Sequence, residues 1–218
     1  LYVLRVEVIN KDKENTLRRL ARAAKINGSM AVGCLVTTLA TGRTEYLAEF
    51  IHDLYDSFSH SKRYQIQRDA DGKESDEQKK ILRFVMGGAA LLAIAHAIWQ
   101  GWDAVNGQFV NDLNTTHNGE IDKIGLAVAL GIAVGNTWAK IELDQINEQT
   151  YTIEHAVKHQ NTDTLASNGF ALVIGADALG LFDYTRINQP ATWGGLFFSS
   201  YTALHLGREA LRPHDHEH

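Results

Sequence analysis

The 218-residue sequence holds one cysteine, Cys34, and only two prolines. A lone cysteine excludes both an intramolecular disulfide framework and a cysteine-based zinc site. There is no surplus of positive charge: Lys+Arg number 21 against Asp+Glu 26, which argues against a nucleic-acid surface. No tandem repeat and no sustained period-2 alternation occur, so the chain reads as all-helical. The first ten residues mix apolar and charged types and lack a signal-peptide pattern. The chain begins at Leu1 rather than Met, the pattern of a fragment. No apolar run reaches the roughly 20 residues that cross a bilayer unaided, and the mean hydropathy is -0.21. Both facts favour buried helices of a soluble bundle.

Glycine, by contrast, is plentiful, with 18 residues, many inside apolar runs. Glycine is commoner in membrane helices than in soluble ones, where it weakens the helix. Residues 1–25 read as a polar lead-in with a basic helix from Asn15 to Lys25, capped by Asn15-Thr16. Six segments follow, at about 26–42, 45–60, 84–102, 124–139, 159–182 and 190–207. A charged connector at 61–80 carries a turn signal at Asp71-Gly72, and 103–123 reads as a loop. An acidic helical stretch, 140–158, leads directly into His159. With the N-terminus inside, the inner segments hold eighteen of the basic residues and the outer ones only Arg43, Lys123 and Arg186. That asymmetry is the positive-inside pattern of a multi-pass membrane bundle with both termini cytoplasmic. The domain layout is thus a lead-in 1–25, a six-helix domain 26–207 and a short tail 208–218.

Two segments carry a His-x-x-x-Asp pair, His52 with Asp56 and His159 with Asp163. On a helix this spacing puts imidazole and carboxylate on one face, one turn apart. Two such helices packed face to face offer two nitrogens and two oxygens, a donor set that zinc accepts. Ionisable groups at membrane depth point by default to an ion path. His96, alone in an apolar helix, reads as a core histidine bonded to a carbonyl; Asp177 either lines the cavity or pairs with His96 or His205. Trp99, Trp102, Trp138 and Trp193 suit interfacial anchors, and the glycines suit close helix packing.

The phrase Leu47-Ala48-Glu49-Phe50-Ile51-His52 with Asp56, echoed by His159, Asp163 and Ala166-Ser167-Asn168-Gly169, resembles the cation diffusion facilitator family. The resemblance covers about residues 17–212. It implies a dimeric six-helix transmembrane bundle, embedded in lipid, that exports a divalent cation in exchange for protons and is no enzyme. It implies His52, Asp56, His159 and Asp163 as ligands of the transported ion. A His/Asp set is similar to that of the zinc-preferring members; cobalt, cadmium, manganese and iron are the alternatives. Arg68-Asp69-Ala70 faintly resembles the family's metal-contacting loop, which makes Asp69 an accessory candidate. His214, His216 and His218 in the tail are others. The family's His-rich connector is replaced by the acidic 140–158, and its C-terminal regulatory domain is missing. Two other readings stand beside this one. One is a soluble helical metal-binding protein. The other is a metal-dependent HD-type phosphohydrolase, suggested by His52-Asp53, although no histidine precedes His52 as that family needs.

Overall fold

The computed structural model describes residues 2–44, 46–69, 76–106, 119–147, 151–179, 181 and 190–211. These form six helices: α1 (Tyr2–Thr41), α2 (Tyr46–Asp69), α3 (Asp76–Asn106), α4 (Gly119–Asp144), α5 (Tyr151–Ala178) and α6 (Pro190–Leu211). Among the described residues there is no strand, as the absence of period-2 patterning implies. His214, His216 and His218, and the side chains of Asp69, Asp177 and Trp193, lie outside the described residues.

The helices outrun the apolar segments that mark them in the sequence. α1 is unbroken across 40 residues, roughly 60 Å, so lead-in and first apolar segment are one rod. No cap forms at Asn15-Thr16: Asn15 Oδ1 instead accepts a bond from Arg18 at 3.3 Å, which satisfies the side chain within the helix. α1 stops at Gly42, whose φ of 69° suits a residue without a Cβ and whose N–H reaches the Thr38 carbonyl at 2.9 Å. α2 restarts at once and continues through Lys62 and Arg63, which the sequence pattern assigns to a connector. The acidic stretch 140–158 is not one helix. It breaks at 145–147, where Ile146 turns back into the core at 8% exposure. Pro190 opens α6, the first-turn position where its missing N–H costs nothing.

Neighbouring helices close a ring in the order α1, α4, α5, α6, α3, α2 and back to α1, with α2 also touching α6. Small side chains allow these approaches. A Cβ on Gly135 of α4 would stand 2.2 Å from Met30 Sδ of α1, and one on Gly194 of α6 would stand 2.8 Å from Val173 of α5. Gly131 and Gly169 have open space beside them, so only some of the glycines serve packing.

Apolar and polar layers alternate along the ring. One apolar cluster joins Met30, Cys34, Tyr46, Ile132, Phe170, Ile174 and Phe198; another joins Leu20, Leu143, Ile146 and Ile153. Between them each of α1, α2, α4 and α5 turns polar side chains inward: Asn27, His52 and Asp56, Asn136, and Gln160 and Asp163, all fully buried. The outer surface is the reverse. Phe84, Leu91, Leu92 and Ile98 on α3, Leu165 and Leu172 on α5, and Phe197 and Leu204 on α6 are exposed. Two helical segments, Asp12–Thr41 and Lys123–Asp144, are long and apolar enough to cross a membrane by length and composition, and Arg83–Trp99 is a shorter apolar one.

The two α4 glycines give opposite expectations for alanine. Gly131→Ala gains about 1 kcal/mol of helix propensity. In Gly135→Ala that gain is opposed by an overpacking cost of about 1–3 kcal/mol against Met30. Thermal unfolding of the purified protein should rank Gly131→Ala above Gly135→Ala, and the reverse order would show that α1 and α4 are not in close contact.

Candidate metal centre

His52 and Asp56 lie one turn apart on the inner face of α2, and His159 and Asp163 do the same on α5. The ring brings these two faces together across its interior. One ligand atom from each of the four residues falls within 4.8 Å of every other, and all four are buried. His52 Nε2 is 3.1 Å from Asp163 Oδ1, and His159 Nε2 is 2.8 Å from Asp56 Oδ1 and 3.2 Å from Asp163 Oδ2. A tetrahedron of donors about 2.0–2.2 Å from a zinc ion has edges of about 3.3–3.5 Å. The measured pairs are already near that size. α2 and α5 are not close backbone neighbours, so the four side chains bridge a gap between helices.

The contacts leave much of the donors' capacity unmet. His159 to Asp56 has hydrogen-bond geometry, but both nitrogens of His52, both carboxylate oxygens of Asp163 and Oδ2 of Asp56 are buried without such a bond. Buried polar atoms are ordinarily satisfied, and several orphaned atoms facing one another are a costly arrangement. A divalent cation accepts all of these lone pairs at once, so the residues present fit such an ion.

Both imidazoles turn Nε2 inward and are backed on the other nitrogen. His52 Nδ1 faces Glu49 Oε2 at 4.0 Å, and His159 Nδ1 is in direct contact with His205 Nε2 from α6. Outer partners of this kind fix the tautomer of a metal-binding histidine. When His159 Nε2 gives its lone pair to a cation, its proton resides on Nδ1, and His205 Nε2 accepts it. Aromatic rings set the tilt: Phe198 stands edge-on to His52 at 6.1 Å, and Tyr55 to His159 at 6.0 Å. A second group, Glu49, His52 and Asp53, shares His52 with the tetrad and is also buried. On the α4 side an amide chain braces α5. Gln160 Nε2 donates to Asn136 Oδ1 at 2.8 Å, and Asn136 Nδ2 donates to Ser167 Oγ at 2.7 Å.

His96 is a buried residue as its sequence setting implies; the Thr44 backbone lies in hydrogen-bonding reach of its ring, and its Nδ1 also meets the Ser199 hydroxyl at 2.9 Å. His205 is engaged by His159. The sequence pattern passes over three participants. His205 sits in an apolar stretch, and the carboxylate four residues on is Glu209, so it lacks the His-x-x-x-Asp form of the other two. Asn136 is the amide in an otherwise apolar helix, and that isolation was its signal. His60 extends His52 and Asp56 by one more four-residue step. Compared with known proteins, the chain matches no family model and no curated protein.

Zinc or cobalt added to the purified protein should raise its thermal midpoint, and Asp163→Asn or His159→Ala should remove that rise. His205→Ala should weaken binding by about 10–100-fold while leaving the four ligands in place. Binding should weaken as pH falls, because protons then compete for the two Nε2 lone pairs. A midpoint indifferent to metal throughout would remove the centre.

Proposed function

We propose that this chain is a proton-coupled carrier that exports a divalent cation, zinc foremost, across a membrane as a cation-diffusion-facilitator-like six-helix bundle. One juxtaposition carries the reading: a buried donor tetrad lies at the centre of a bundle whose outward side chains are large and apolar. Water penalises that surface, whereas lipid does not. Exposed Trp99, Trp102 and Trp138 suit the aromatic belts found where a bilayer meets water. The basic residues cluster on alternate connections and on the ends of the helices beside them, which supports an orientation with the termini inside. Arg19 and Arg22, bound to Glu142 at 3.0 and 3.3 Å, tie the middle of α1 to the C-terminal end of α4. The low mean hydropathy reflects helices whose polar ends extend past an apolar middle.

Zinc is the cargo of this reading. On the inner side the ion displaces the imidazole protons as it binds; protons arriving from the other side reclaim Nε2 of His52 and His159 and loosen the ion. Because α2 and α5 meet through side chains rather than close backbone packing, a small rocking of one against the other separates donors into pairs. A pair holds a divalent ion less firmly than four donors do. Alternating access then needs no unfolding of either helix.

A second reading, a helical metal-binding protein without transport, is favoured by one observation: only two described helices meet the apolarity expected of a membrane span. Detergent phase separation tells them apart. The carrier enters the detergent phase, and recovery in the aqueous phase would sink the membrane reading. In proteoliposomes a pH gradient should drive zinc flux. Asp56→Asn and Asp163→Asn should each reduce it at least about tenfold, as loss of a charged ligand does; equal flux in either variant would overturn the site.

A further inference from the structure

Beyond the tetrad, α2 continues to turn polar side chains inward. Ser59, His60, Arg63 and Gln67 are all buried, on the length of helix that runs toward the basic inner connection. His60 is one turn, about 6 Å, past Asp56, and its exposure is 0%. No hydrogen bond of good geometry reaches either ring nitrogen. The groups that face the ring are Asp56 and Arg63 from its own helix and His159 and Gln160 from α5.

Two of those neighbours have donor atoms to spare. Asp56 uses Oδ1 on His159, and its Oδ2 makes no hydrogen bond. Gln160 commits its amide nitrogen to Asn136, which fixes the orientation of the amide, and its buried Oε1 makes no hydrogen bond. An imidazole nitrogen, a carboxylate oxygen and an amide oxygen are therefore buried close to one another beside the tetrad, with the Gln160 amide in hydrogen-bonding reach of His60. Nitrogen and oxygen donors of this kind suit borderline and hard divalent ions.

We propose that His60, with Asp56 Oδ2 and Gln160 Oε1, forms a second divalent-cation site on the inner side of the tetrad. Asp56 is common to both sites and passes an ion from one to the other by exchanging which oxygen holds it. Carboxylate-bridged ions about 3.5–4 Å apart are a familiar arrangement, so both sites can be filled together. The inference rests on the tetrad being a metal centre, and it adds a loading position between that centre and the inner solution.

Cobalt(II) binding to the full chain in detergent, by equilibrium dialysis and visible absorption, tests it. The wild-type protein should hold about two ions per chain and His60→Gln about one. Circular dichroism of the variant checks that it is folded. In a Cys34→Ala background, His60→Cys provides a gain of signal: a thiolate-to-cobalt charge-transfer band absent from Cys34→Ala alone. A wild-type stoichiometry of one, retention of two ions by His60→Gln, or no new band in folded His60→Cys would overturn the second site and leave the tetrad standing. If His52→Ala keeps the full wild-type stoichiometry, the tetrad itself is overturned.

Discussion

Carboxylates held away from water without matching cations set the terms for this whole bundle. Asp56 and Asp163 are fully buried, and Glu49 and Asp53 are buried one turn away. Stranding one such charge in an apolar interior costs several kcal/mol after relaxation. The imidazoles of His52 and His159 are the nearest relief, and they cross from one helix to the other: His52 reaches Asp163, and His159 reaches Asp56. The crossing makes α2 and α5 interdependent. Each brings a carboxylate that the other's histidine faces.

The remaining helices can be read as supports for that crossing. α6 places Phe198 against one imidazole and His205 against the other. α4 braces α5 through Asn136, and α1 closes the ring between α2 and α4 with small residues at its contacts. Apolar clusters on either side of the polar layer keep water from relieving the donors directly. The outer faces complete the inversion, since the interior has spent its polar residues and the large apolar side chains have nowhere to go but outward.

Much of this was legible in the chain because helices have a fixed period. Four-residue spacing of His52 with Asp56 and of His159 with Asp163 put each pair on one face, and the structure brings the two faces together. Helix ends were less legible. Lys62 and Arg63 look like a connector by polarity, and the residues before Asn15 like a polar lead-in, yet long unbroken helices carry them. Polarity reports the surroundings of a segment and says little about its backbone. Contacts between helices distant in sequence were the least visible. His205 belongs to the centre only because the ring sets α6 beside α5, and no spacing rule connects positions 159 and 205. His60 continues the four-residue spacing of His52 and Asp56, but only its burial beside Gln160 gives it chemistry.

The order of helices around the ring differs from their order along the chain. α1 and α2 are made first and pair at once, but α1 must wait for α4 before its other flank is covered, and α3 waits for α6. During synthesis, therefore, the acidic face of α2 spends the time needed to make two further helices without the histidine on α5 that answers it. Of the six helices, α6 is the one that closes the ring and backs His159. A chain lacking α6 would carry the four ligands with no wall behind them.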